Sequence, residues 1–197
     1  MKINSNEEVG IYAGLSILRI DCNIVPLHFN LNMGKMKKYK VLFVCLGNIC
    51  RSPAAEGILK KMVKNKKLDD KIIVDSAGTS GYHIGELPDS RMRKHGKMRG
   101  YTFDSLSRKF VSGDFDNFDL IIVMDDNNYN NVIRLSNDLE SDKKVVRMVD
   151  FSQKYAHDHI PDPYYSGADG FELVLNLLED TCSGLLDYLE KEIPKED

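Results

Sequence analysis

Short apolar runs recur along this chain with amphipathic stretches between them, and that alternation most limits the folds open to it. Val41–Val44 (V-L-F-V), Ile72–Val74 and Leu120–Met124 (L-I-I-V-M) are continuous apolar runs, each reading as a strand covered on both faces. Lys144–Met148 reads as a fourth. After Ser52-Pro53, where serine suits an N-cap and proline the first helical position, Ala55, Ile58, Leu59, Met62 and Val63 fall at helical spacing. Asp89–His95 and Asp126–Leu139 read as further helices. From Gly170 onward, Phe171, Val174, Leu175, Leu178, Cys182, Leu185, Leu186 and Leu189 form one stripe of a long terminal helix. Strands alternating with helices imply βαβ units, so the expected class is α/β: a three-layer α/β/α domain on a four-stranded parallel sheet. Ligands in such sheets sit beyond the carboxyl ends of strands, which points to the loop beginning at Cys45.

Composition narrows the class further. The chain has 197 residues, 42% hydrophobic and 29% charged, enough for one well-filled core. No apolar run approaches the roughly 18–20 residues that span a bilayer, so no membrane association is expected. The N-terminal apolar patch Ile11–Ile20 is interrupted by Arg19, flanked by Asp21 and lacks a cleavage site, unlike a signal peptide. A net charge of −3 argues against a nucleic-acid partner. Four cysteines (Cys22, Cys45, Cys50, Cys182) are too few for a disulfide scaffold, which suits a reducing, cytoplasmic setting. The first 39 residues hold five basic against three acidic residues, and the remainder 22 against 27, so the two parts carry +2 and −5. We divide the chain into residues 1–37, an extension of unassigned role, and a domain over 38–197.

The loop Cys45-Leu46-Gly47-Asn48-Ile49-Cys50-Arg51-Ser52 joins a buried strand to a helix N-terminus, where unpaired N–H groups converge on an anion. Gly47 and Asn48 tolerate the left-handed dihedrals that turn successive amides inward. Cys45 then lies at the floor of the nest, where the helix terminus and Arg51 favour the nucleophilic thiolate. Arg51 brings a planar fork that holds two phosphate oxygens at once. Ser52 can donate its hydroxyl to the sulfur. A lone cysteine ending a strand is usually a core residue; a cysteine and an arginine with five residues between them on a strand–loop–helix are a nucleophile and an oxyanion clamp in one pocket. Cys45 and Cys50 have no second cysteine pair or nearby histidine to complete a zinc site, so no metal and no cofactor is expected.

With C-L-G-N-I-C-R-S-P, followed by D-S-A-G-T-S at Asp75–Ser80, M-D at Met124-Asp125 and D-P-Y-Y at Asp162–Tyr165, residues 38–197 resemble the low-molecular-weight protein tyrosine phosphatases. Members of that family usually begin within a few residues of the first strand, so Met33 and Met36 stand as candidate starts. The resemblance implies hydrolysis of protein phosphotyrosine and small aryl phosphates through a cysteinyl-phosphate, in a phosphatase loop between first strand and first helix. By it, Cys45 is nucleophile, Arg51 and the loop amides from Leu46 through Ser52 bind phosphate, and Asp162 is general acid and then base. Alone, an aspartate before proline would read as a turn residue. The resemblance further makes Leu46, Tyr82 and Tyr164 the pocket walls, with Asn48 and Ser76 bracing the loop and Asp125 orienting Arg51. Cys50 lies close enough in sequence to form a reversible disulfide that protects Cys45 from over-oxidation. Implied partners are tyrosine-phosphorylated proteins, a tyrosine kinase among them, with the enzyme a monomer or weak dimer.

Three other readings share the fold. Arsenate reductase needs relay cysteines, and none occurs between Cys50 and Cys182. Protein-arginine phosphatases tend to have threonine where this chain has Ile49, whose extra bulk crowds a guanidinium-type phosphate. A non-catalytic phosphate-binding module has no need to keep Cys45, Arg51 and Asp162 together.

Overall fold

Strand β1 (Tyr39–Cys45) carries the apolar run Val41–Val44 at zero solvent exposure, as a strand buried on both faces must be. In the computed structural model, which describes residues 37–193, β1 pairs in parallel with β2 (Ile72–Gly78) on one side and β3 (Leu120–Val123) on the other. A short β4 (Val145–Arg147) extends the sheet beyond β3, giving the order β2-β1-β3-β4. The expected four-stranded parallel sheet is therefore present. Alternate β1 residues serve opposite layers. Val41 and Phe43 pack with α1 (Arg51–Asn65) and α6 (Ala168–Glu192), while Leu42 and Val44 pack with Phe110, Phe115, Phe118 and Val132. The second layer is built from α3 (Asp114–Asn117) and α4 (Asp126–Ile133). The Ile11–Ile20 patch, Cys22 and both candidate start methionines lie outside the described residues.

Three local expectations need correcting. Helix α1 is capped at Cys50, with Ala54 N donating to Cys50 O at 3.2 Å, so Ser52 and Pro53 fall inside the first turn. Proline costs nothing there, because the first N–H groups of a helix have no intrahelical acceptor. The segment Asp126–Leu139 is two helices. α4 stops at Ile133, and Asp138, in extended backbone, caps α5 (Leu139–Lys143) by accepting from Ser141 N at 2.7 Å. The third correction is β2, which runs on through Asp75-Ser76-Ala77-Gly78 and so carries its motif to the sheet's carboxyl edge. Helix α2 (Ser90–Met98) begins as expected, with Asp89 accepting from Arg91 N. The α6 stripe is buried throughout and fixes that helix across α1 and α2.

Strand order reverses around β1, since the chain leaves it to one side for β2 and to the other for β3. The crevice at such a switch point opens over the carboxyl end of β1, where Cys45 stands.

Candidate active site

After Cys45 the chain turns its carbonyls outward one by one. Cys45 O accepts from Thr79 N (2.9 Å), Leu46 O from Ser80 N (2.9 Å) and Ile49 O from Asp89 N (2.8 Å). Gly47 O accepts from Ser107 Oγ at 3.1 Å. Planar peptides with their carbonyls fixed outward present their N–H groups inward. Among the described residues, no backbone N–H from Leu46 to Ser52 donates within the protein. Asn48 makes the turn possible with φ of 54°, a left-handed conformation asparagine tolerates. Gly78, opposite Cys45 in the ladder, must lack a side chain: a Cβ there would sit 2.8 Å from Leu46 O.

A buried chain of hydrogen bonds holds this loop and sets its polarity. Glu56, only 2% exposed and paired with Lys60, accepts from Ser76 Oγ at 2.6 Å. Ser76 has spent its proton and accepts from Asn48 Nδ2 at 2.8 Å. The Arg108 N–H to Asn48 Oδ1 (2.9 Å) fixes which way the amide points, so the second Nδ2 hydrogen goes to Ser52 Oγ at 2.9 Å. The single Ser52 O–H is left for Cys45 Sγ at 3.0 Å or Ala77 O at 3.2 Å. Arg108 is held by Asp75 and Asp114.

Arg51 is 3% exposed, and three of its guanidinium N–H groups are held by the protein. Nη1 donates to Asp125 Oδ2 (2.6 Å) and Ile160 O (3.1 Å), and Nη2 to Asp162 Oδ2 (2.9 Å). Burial opposes its charge, but Cys45, Asp162 and Asp125 together hold the guanidinium above its ordinary value, so it stays cationic. Ile160, fully buried, ties the loop carrying Asp162 to the end of β3 through its N–H to Met124 O at 2.9 Å. Asp162 stays accessible, its Oδ1 accepting from Tyr164 N at 3.1 Å. Cys50 is buried, and that burial, with Asp89, Cys45 and Asp162 nearby, pushes its thiol up and keeps it protonated.

The cavity over Cys45 has a volume of about 320 Å³. Leu46, Gly47, Ile49, Cys50, Arg51, Tyr82, Asp162 and Tyr164 line it with Cys45, all candidates from the sequence. Asn48, Ser52 and Ser76 sit behind it as bracing, and Asp125 faces an adjoining cavity that also reaches Arg51 and Asp162. Ser80, His83 and Tyr165 line the cavity without having been anticipated. Ser80 follows directly from the D-S-A-G-T-S motif, and His83 from its neighbour Tyr82. The bracing by Arg108, Ser107 and Glu56 left no mark in the sequence that motif or periodicity could detect. Chemically, the arrangement offers a thiol beside inward amides and a buried guanidinium, with a carboxyl group at the mouth and apolar walls. It can bind a tetrahedral oxyanion carrying an aromatic substituent.

Comparison with known proteins agrees. A family model described as low molecular weight phosphotyrosine protein phosphatase matches residues 40–195. A putative low molecular weight protein-tyrosine-phosphatase of Synechocystis is 48% identical over 78% of this chain and 98% of its own length. The human low molecular weight phosphotyrosine protein phosphatase is 36% identical over 79% and 98%. Among solved structures, a protein tyrosine phosphatase from Entamoeba histolytica with Hepes in the active site superimposes with a TM-score of 0.77 at 50% identity, covering 79% of this chain and 99% of that one. A Drosophila arginine phosphatase superimposes at 0.71 with 31% identity, covering 80% and 99%.

Proposed function

Since the chain belongs to the low molecular weight phosphotyrosine protein phosphatase family and hydrolyses phosphotyrosine, we propose that it does so through a phosphoryl group carried on Cys45. The observation that carries this reading is the convergence of Cys45, the inward amides of 46–52, Arg51 and Asp162 on one cavity. The amides and Arg51 hold the phosphoryl oxygens while the Cys45 thiolate attacks phosphorus in line with the phenolic oxygen. The P–O bond breaks as Asp162 gives its proton to the departing phenolate. Water then attacks the phosphocysteine, Asp162 takes a proton from it, and the thiolate leaves, helped by the Ser52 hydroxyl. Binding of the dianion replaces the Arg51–Asp162 contact, freeing Asp162 for the leaving group. Leu46, Tyr82 and Tyr164 would flank the aryl ring.

Steady-state rates on phosphotyrosine, phosphoarginine and arsenate test the reading. Cys45→Ser should abolish phosphotyrosine hydrolysis, and Asp162→Asn should lower kcat by roughly 10²–10⁴-fold, most on poor leaving groups. Turnover surviving Cys45→Ser would overturn it. Ile49 on the cavity wall supports tyrosine over arginine as the phosphorylated residue. Cys50, buried in the same loop with a free thiol, serves as the redox guard. A Cys45 sulfenic acid condenses with the Cys50 thiol, releasing water and leaving a disulfide that thiols reduce. Cys50→Ser should make peroxide inactivation irreversible, and unchanged recovery would reject the role. The catalytic domain spans 38–197, works in the cytoplasm as a monomer or weak dimer, and takes tyrosine-phosphorylated proteins, a tyrosine kinase among them.

A further inference from the structure

The Tyr164 ring has a support that the mechanism above does not use. Asp89, the N-cap of α2, reaches the anion loop with its backbone and Arg91 with its side chain. Its N–H braces the anion loop at Ile49 O, and its carboxylate grips Arg91 by Nε to Oδ1 (3.0 Å) and Nη2 to Oδ2 (2.7 Å). A two-point contact fixes the plane of a guanidinium. That guanidinium lies near two aromatic rings, with Cζ 4.9 Å from the Phe171 centroid and 5.3 Å from the Tyr164 centroid. Phe171 is 1% exposed on α6 and forms a rigid base. Tyr164 is 38% exposed, and its aromatic neighbour Tyr165 is 96% exposed, so little else restrains the ring from the solvent side.

We propose that Arg91 is a positioning residue that holds Tyr164 as the wall for the substrate's aromatic ring, joining the loop of Asp162 to the anion loop through the start of α2. The proposal rests on the reading of Tyr164 as a substrate wall. Arg91 acts by geometry, because Asp89 neutralises its charge and the phosphate is held by Arg51 and the amides. The Asp89 cap survives loss of the Arg91 side chain, since the Arg91 backbone N–H still reaches Oδ1 at 2.8 Å.

Kinetics of Arg91→Ala, Arg91→Lys, Tyr164→Ala and the Arg91→Ala/Tyr164→Ala double variant test it, with inorganic phosphate as an inhibitor that has no ring. Arg91→Ala should raise KM for aryl phosphate about two- to fivefold, the scale of one exposed cation–π contact, and leave the phosphate inhibition constant unchanged. Arg91→Lys should fail to restore KM, since an ammonium makes no two-point contact. In the Tyr164→Ala background, Arg91→Ala should add nothing. Full additivity overturns the proposal, as does a parallel loss of phosphate affinity, full rescue by lysine, or an unchanged KM in Arg91→Ala. If Tyr164→Ala itself leaves the aryl KM unchanged, the wall reading falls and the proposal with it. If Tyr164→Ala raises KM but Arg91→Ala does not, only the Arg91 role falls.

Discussion

Asn48 combines a left-handed backbone with three side-chain hydrogen bonds, two of them buried, and the orientation of the whole anion loop depends on it. Replacing it by alanine leaves Ser52, Ser76 and the Arg108 N–H short of a partner and keeps an unfavourable φ. Asn48→Ala should cost about 2–4 kcal/mol in urea unfolding and lower kcat/KM with it. A loss below about 1 kcal/mol would mean that the relay from Glu56 to Ser52 does not hold the loop. At this scale the sequence was informative wherever chemistry is local. Cys45, Arg51 and Ser52 are neighbours on one loop, so spacing alone placed them together. Arg108 N and Ser107 Oγ reach that loop from 60 residues away, and nothing in their local pattern announces the contact. Asp162 and Tyr164 were legible only through family resemblance, because a Pro-flanked aspartate otherwise reads as a turn.

Among the elements, β1 and α6 were legible because their apolar patterns have one explanation each. The break between α4 and α5 was missed because the apolar spacing runs on through it, whereas the Asp138 cap that creates it is a local competition between side chain and backbone. Helix α6 gives a test whose sign is informative. Gly184 faces the Phe151 carbonyl so closely that a Cβ would lie 2.1 Å from that oxygen. Helix propensity alone says Gly184→Ala stabilises by up to ~1 kcal/mol; backbone overlap says it destabilises by about 1–3 kcal/mol or more. The packing described here predicts a lowered Tm. A raised Tm would show that α6 and the turn at 148–151 are not in that contact.

For the whole molecule, acid stability follows from carboxylates that tie α6 to its neighbours. His95 and Arg99 on and after α2 hold Glu172 below its ordinary value of 4.5. Burial opposes the charge of Asp180, yet the N–H of Lys154, the Ser152 hydroxyl and the N–H of Gln153 and Tyr155 lower its value too. A folded value below the unfolded one means the unfolded chain takes up the proton first. These groups therefore stabilise in full above their unfolded values, and that stabilisation is lost as pH falls through the lowered ones. Tm should hold level from neutral pH to about 5 and then drop, with a shallower drop in Glu172→Gln. An identical acid slope in that variant would remove Glu172 from the account. The net charge of −5 over residues 40–197 leaves attraction of a phosphate dianion to the local cradle, so the catalytic claim turns on one atom, Cys45 Sγ. The most direct test feeds Asp162→Ala an aryl phosphate with a good leaving group, quenches in acid and maps the phosphoryl group by peptide mass spectrometry. The account predicts phosphate on the Cys45 peptide, accumulated beyond wild type because water activation has lost its base. Phosphate on another residue, or a Cys45 peptide unmodified while phenol is released in a burst, would contradict it.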